Sequence, residues 1–393
     1  MPIRDTLNLW PNFSDEEADV VGDVIRSNRV NYWTGEIGRQ FETEFADWIG
    51  TRHSIALGNG TVALDLALTG LGIGPGDEVI VTPRTFIASV SSVASVGAIP
   101  VFSDVDRDSG NISPSNIGNV ISDKTRAIIP VHLGGWPCEM DGIMALAKQH
   151  DLFVIEDCAQ AHGAKVSDRM VGSIGHVGAW SFCQDKIMTT GGEGGMVTTN
   201  DAELWNRMWS YKDHGKSWDA VYNREHPPGF RWLHESFGTN WRMLEMQAAI
   251  GRIQLKRMEN WTAARTRNAR ALQITLQAFP DAVRVPDPGP GFTHAYYRQY
   301  AYIKQEGLKS GWTRDRMVED IVAQGFPAFQ GTCSEVYLEK AFEETGWRPE
   351  KRLPVARELG ETSIMLLTHP SITEEQLEGY CNAVGQSFAN AAR

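Results

Sequence analysis

A chain of 393 residues, 42% hydrophobic and 22% charged, has the make-up of a soluble globular protein long enough for two domains. Its net charge of −12 argues against a general nucleic-acid or membrane-surface binder, which needs a basic face. A local cluster of Arg and Lys can still hold an anionic small molecule. The five cysteines, Cys138, Cys158, Cys183, Cys333 and Cys381, are widely spaced and never form CxxC. No metal site and no disulfide framework is expected, and a cytoplasmic location fits. The segment MPIRDTLNLWPNFSDEEADVV lacks the apolar core of a signal peptide, and no run approaches ~18 apolar residues, so no membrane span is expected.

Along residues 54–200 two patterns alternate. Short Val- and Ile-rich runs predict buried strands: SIALG (54–58), EVIVTP (78–83), IPVFSDV (99–105), AIIPVHL (127–133), FVIEDC (153–158), VGAWSF (177–182) and GMVTTN (195–200). Helical stretches at 61–72, 86–97 and 142–151 separate several of them. The alternation predicts an α/β fold, a mostly parallel sheet covered by helices on both faces. Residues 242–279 contain no proline and one glycine and predict a long helix, or two in succession. After PDPGPG (286–291) the pattern is that of a smaller α+β unit, with a strand at 295–304 and helices at 313–325 and 373–391. The expected organisation is a large domain over 1–250, including an N-terminal arm, and a small C-terminal domain over 251–393.

Ligands of open parallel sheets gather at the carboxyl ends of the strands. The first strand ends in GNGT (58–61) and runs into a helix, whose free N–H groups suit a phosphate; the alternative is a tight turn capped by Thr61. Phe86 follows the second strand. Glu156 and Asp157 close an apolar strand, and acids there need a partner. In SFCQDKIMTTGGEGGM (181–196), Ser181 and Lys186 precede four glycines that allow tight turns. Together these groups match the needs of pyridoxal phosphate: donors for its phosphate, a flat face for its ring, a carboxylate for its pyridinium nitrogen and a lysine for its aldehyde.

The stretches GNGTVALDLAL (58–68), GDEVIVTPRTFIAS (76–89), IEDCAQAHGA (155–164), SFCQDKIMTTGGEGGM (181–196) and GTNWRM (238–243) closely resemble the DegT/DnrJ/EryC1/StrS family of sugar aminotransferases. These are fold-type I, aspartate aminotransferase-like, pyridoxal phosphate enzymes, and the likeness runs from the WTG at 33–35 to about residue 391. The resemblance implies that Lys186 bonds the cofactor aldehyde, Asp157 pairs with the ring nitrogen, Gln160 contacts the ring hydroxyl and Phe86 stacks on the ring. It implies that Gly60, Thr61 and Ser181 hold the phosphate, and that Asn240 reaches the phosphate of the neighbouring subunit of a homodimer. His162 is read as a satisfied structural histidine and Cys183 as packing. Trp136, Trp180 and Cys183 depart from the commoner family pattern, and Trp136 is expected to alter the pocket.

A lysine rather than histidine at position 186 separates transaminases from the dehydratase branch of the family. NYWTG (31–35), PRTFIASVSS (83–92) and WSYKDHGKSWD (209–219) resemble enzymes acting on UDP-linked 4-keto-6-deoxy sugars for surface glycans. The expected donor is L-glutamate and the expected acceptor a nucleotide-linked keto sugar, a UDP-2-acetamido-4-keto-2,6-dideoxyhexose aminated at C4. Thr34, Lys212, His214, Lys216 and Arg231 are candidate substrate contacts, each equally readable as an ordinary loop residue. Alternatives are amination at C3, a GDP- or dTDP-linked sugar, a cyclitol acceptor, or a sensor that binds the cofactor without turnover.

Overall fold

The computed structural model describes residues 6–393. Seven strands form the large sheet: β1 (His53–Leu57), β2 (Glu78–Val81), β3 (Ile99–Phe102), β4 (Thr125–Ile129), β5 (Phe153–Asp157), β6 (Val177–Ser181) and β7 (Gly195–Thr199). Their spatial order is β1-β7-β6-β5-β4-β2-β3. Every pair is parallel except those of β7, which runs against both β1 and β6. The expected strands are therefore all present. The carboxyl ends of β1, β2, β5 and β6 lie along one edge of the sheet, and antiparallel β7 starts there: Gly195 pairs with both Leu57 and Ser181.

The strands read as continuous apolar runs because both sheet faces are covered. Val79 and Ile80 of β2, and Val154 and Ile155 of β5, are fully buried, two on each side, in two separate core clusters. Each such side chain contributes about 1.5–3 kcal/mol. On one side lie α1 (Gly60–Gly70) and α2 (Ala88–Ser95). Helix α1 begins where it does because Asn59, not Thr61, is its cap: the Asn59 Oδ1 accepts from the Val62 amide at 3.0 Å.

The long helix predicted over 242–279 is a single α3, Glu245–Gln277. Its first half packs on helices Asp15–Ser27 and Ile37–Ile49, and Ala248, Leu255 and Met258 belong to the large-domain core. Leu272 and Leu276 belong to the core of the small domain, whose strands β8 (Val283–Arg284), β9 (Arg298–Ile303), β10 (Ala328–Phe329) and β11 (Ser363–Leu367) form a sheet ordered β8-β9-β11-β10. The closing helix is Glu374–Ala391. Residue 250 lies inside a continuous helix, and the packing changes between Met258 and Leu272. The arm touches both domains: Leu7 joins the small-domain core and the Asn8 amide donates to the Ser371 carbonyl at 2.8 Å, while the Trp10 indole N–H donates to the Lys186 carbonyl of the large domain.

Candidate active site

The edge where β1, β2, β5 and β6 end assembles most of the predicted residues. Helix α1 starts hard against β6. A Cβ on Gly60 would lie 2.6 Å from the Ser181 Cβ, and one on Gly195 would lie 2.2 Å from the Asn59 carbonyl oxygen. Only glycine lets three backbone segments close into this cradle, and it places the first turn of α1 beside the Ser181 hydroxyl. Thr61 is exposed on that first turn, and the Ser181 Oγ accepts from the Cys183 amide at 3.3 Å. Gly191 and Gly192, at φ 88° and 123°, reverse the chain after the lysine in a conformation that side chains disfavour.

Asp157 ends β5 and is 6% exposed. Its Oδ2 accepts from the Ser89 hydroxyl at 2.7 Å and its Oδ1 from the Ala159 amide at 3.1 Å. Burial nevertheless raises its pKa, outweighing these bonds and the charges of Lys186 and His132. The position therefore suits a carboxylate that receives a cationic partner. The adjacent Glu156 serves the fold instead. It takes the Ile174 and Gly175 amides at 2.9 and 2.6 Å, and its other oxygen lies 3.1 Å from His132 Nε2. His132, Glu156 and Cys158 are thus grouped by structural bonds.

Phe86 is 67% exposed just past β2, an apolar ring left uncovered at this edge. The Gln160 Oε1 accepts from the Gly134 amide at 2.8 Å. Lys186 lies partly covered, its Nζ 3.7 Å from the Asp185 carboxylate and 5.3 Å from the centre of the Tyr297 ring. Trp10 of the arm donates its indole N–H to the Lys186 carbonyl at 2.8 Å. A helix start with a hydroxyl, an exposed aromatic face, a buried acid lacking a cation and a partly covered lysine fit the phosphate, ring, ring nitrogen and aldehyde of pyridoxal phosphate.

Other expectations fare differently. Lys212 is fully buried: its ammonium sits 3.8 Å from the Tyr32 ring centre with no hydrogen-bond partner among the described residues. Burial lowers its pKa to about 8. It is a core lysine at the last turn of helix Ala202–Lys212, out of a diphosphate's reach, and that expectation is corrected. Lys216 is paired with Asp213 at 3.2 Å and lies 4.0 Å over Trp33. His214, Arg231, Asn240 and Thr34 are exposed. Asn240 is held by a backbone bridge to Asp213, and the Thr34 hydroxyl lies 3.3 Å from the Asn31 carbonyl.

His162 is buried against the rings of Trp180 and Phe182, as a structural residue would be, but it is not satisfied. Neither ring nitrogen has a partner among the described residues, and burial with the charges of Lys186 and Arg265 lowers its pKa to about 3. Trp136 packs against His294, ring centres 5.7 Å apart, and does not line the cavity beside Lys186. Cys183 is half-buried, with its backbone bridged to Gly192. Sequence reasoning missed Ser89, Asp185, Tyr297, Arg298 and Trp10. Ser89 closes a stretch that carried the family resemblance. Asp185 directly precedes Lys186 in another such stretch, whereas Trp10, Tyr297 and Arg298 lie far along the chain from the residues they meet there and had no local signal.

A family model for the DegT/DnrJ/EryC1/StrS aminotransferases matches residues 11–385. The fold superposes with a TM-score of 0.97 on the crystal structure of an aminotransferase from Psychrobacter cryohalolentis, 60% identical over 98% of this chain and 99% of that one. Among curated proteins, the chain is 36% identical to the GDP-perosamine synthase of Caulobacter vibrioides, covering 96% of each. It is 35% identical to the UDP-N-acetyl-3-dehydro-alpha-D-glucosamine 3-aminotransferase of Acidithiobacillus ferrooxidans, covering 96% of this chain and 95% of that one.

Proposed function

The chain belongs to the DegT/DnrJ/EryC1/StrS aminotransferase family and is a pyridoxal phosphate-dependent sugar aminotransferase; from that premise we propose that it transfers the amino group of L-glutamate to C4 of a UDP-linked 2-acetamido-4-keto-2,6-dideoxyhexose, for a surface glycan. The observation that carries the reaction type is the buried Asp157 at the sheet edge, whose raised pKa the charge of Lys186 only partly offsets. When bound, the cofactor supplies an electron-withdrawing ring that stabilises negative charge on the reacting carbon. Asp157 holds the ring nitrogen protonated, oriented by Ser89 and the Ala159 amide. Gly60, Thr61 and Ser181 hold the phosphate, Phe86 covers the ring and Gln160 meets its hydroxyl. Lys186 Nζ takes the proton from the donor α-carbon and returns one to the sugar carbon that receives the amine.

The same reading makes the enzyme a cytoplasmic homodimer with shared sites. Phe230, Trp232 and Phe237 are 77%, 84% and 99% exposed on the loop that carries Arg231 and ends near Asn240. Apolar surface of this kind is suited to a partner subunit. Asn240 would then complete the neighbour's phosphate site, with Arg231, His214, Lys216 and Thr34 near the sugar nucleotide.

Two specific observations favour a second reading of the acceptor. One relative's name carries GDP, and another's carries amination at position 3. Purified enzyme given L-glutamate and each keto sugar in turn decides between them, with NMR locating the new amine. A 4-amino UDP-sugar is the expected product. A 3-amino product, or turnover confined to a GDP-linked sugar, replaces the proposed acceptor. Glutamate that leaves the cofactor's long-wavelength absorption band unchanged removes the donor.

A further inference from the structure

A cavity of about 260 Å³ opens beside the lysine loop, walled by Leu9, Trp10, Asp185, Arg298, Leu367 and His369. Its charges do not balance. Asp185 stands between two cations, with Oδ1 3.7 Å from Lys186 Nζ and Oδ2 3.3 Å from an Arg298 nitrogen, and it also accepts from the Tyr297 hydroxyl. Arg298 is 11% exposed and lies 3.9 Å from the centre of the Tyr297 ring, so its guanidinium is held in place. Behind Trp10, whose ring centre lies 5.1 Å away, the Arg265 guanidinium is fully buried, and all three of its nitrogens lack a hydrogen-bond partner among the described residues. Two cations thus share the Asp185 carboxylate, and Arg265 has no hydrogen-bonded anion among the described residues. A buried guanidinium with no anion is among the costliest arrangements a protein can hold, and a ligand carboxylate relieves it.

The size of the cavity narrows the choice of ligand. It is smaller than the roughly 300–1,000 Å³ that buries a drug-sized molecule. It suits a short carboxylate and not a nucleotide sugar. The Trp10 and Leu9 side chains offer the apolar surface that a short methylene chain needs.

We propose that this cavity is the carboxylate subsite for the amino donor, with Arg298 the residue that binds the carboxylate through its planar fork and Arg265 adding charge from behind Trp10. The proposal rests on the transaminase reading above and names donor-binding residues within it. Arg298 acts on donor affinity. Asp185 is the anion in place when the donor is absent, and the incoming carboxylate competes with it for Arg298.

Glutarate tests this directly, because it has the dicarboxylate skeleton without an amine and its binding needs no turnover. Calorimetry on the purified enzyme should show glutarate binding, weakened about tenfold or more by Arg298→Gln. Arg298→Lys, which keeps the charge and loses the fork, should fall between the two. Thermal melts of both variants check that the fold survives. In parallel, Arg298→Gln should raise the KM for L-glutamate and leave the reverse reaction's KM for the amino sugar nucleotide unchanged. Glutarate that binds wild type and both variants equally, or does not bind wild type at all, overturns the subsite. Failure of wild type to exchange amines with any amino acid overturns the transaminase reading instead, whatever glutarate does.

Discussion

Lys186 and Lys212 lie 26 positions apart in the sequence and show opposite ways of using a cation. Lys186 sits at an open sheet edge, its Nζ facing Asp185 and its backbone tied to Trp10. Lys212 is sealed under Tyr32 and Trp209, with Glu42 and Asp213 as the charges that oppose its desolvation. A charged residue near a substrate loop was readable as a ligand contact, yet the helix turns its side chain inward. The region around Lys186 is suited to the proposed chemistry because its groups are incompletely satisfied. The region around Lys212 holds the fold because burial and aromatic faces fix it.

The largest expected effect breaks the first region. Lys186→Ala should reduce turnover with glutamate by about 10²–10⁴-fold or more, measured by coupled assay, with melting temperature little changed. Asp157→Asn should cost about 10²–10³-fold in kcat by removing charge stabilisation of the ring. The same variant sharpens the stability argument. Because burial raises the Asp157 pKa, its ionisation opposes folding as pH rises through that raised value. Cofactor-free Asp157→Asn should therefore melt higher than cofactor-free wild type at neutral pH, and a lower melting point would show that the carboxylate is satisfied without a ligand. Phe86→Ala should weaken cofactor binding about fivefold, in line with about 1 kcal/mol for a ring stack, with little change in stability at so exposed a site.

The second region should respond to pH and not to substrate. The pKa of Lys212 is depressed to about 8, so its contribution to stability is greatest above the ordinary lysine range and is lost as pH falls through about 8. Lys212→Met, similar in length and uncharged, should flatten the stability profile between pH 8 and 10.5 while shifting the KM for the sugar nucleotide by less than about twofold. A large rise in that KM would return Lys212 to the substrate site.

Much of the site was legible in the sequence, for physical reasons. Strands buried on both faces are unbroken apolar runs, so β1 to β7 stand out, and the sheet edge then follows from their order. Gly60, Asp157, Ser181 and Lys186 each sit just inside or just past a strand end, where local pattern is enough. Ser89, Asp185 and Arg298 were not singled out. Ser89 meets Asp157 across 68 residues and Arg298 meets Asp185 across 113, and no local periodicity encodes such a meeting. His162 was read correctly as internal and wrongly as satisfied, because the residue type alone does not say whether its nitrogens find partners.

The 33-residue helix Glu245–Gln277 carries one further consequence. Its two ends serve different cores, so there is no linker at which the domains can be cut and rejoined. Each residue of a helix advances about 1.5 Å and turns about 100°. Deleting a single residue between Met258 and Leu272 would swing everything after it by roughly that angle and carry Arg298 away from Asp185. A chimera with a relative's C-terminal part would have to splice this helix in phase, at a whole number of turns, for the two halves of the site to meet.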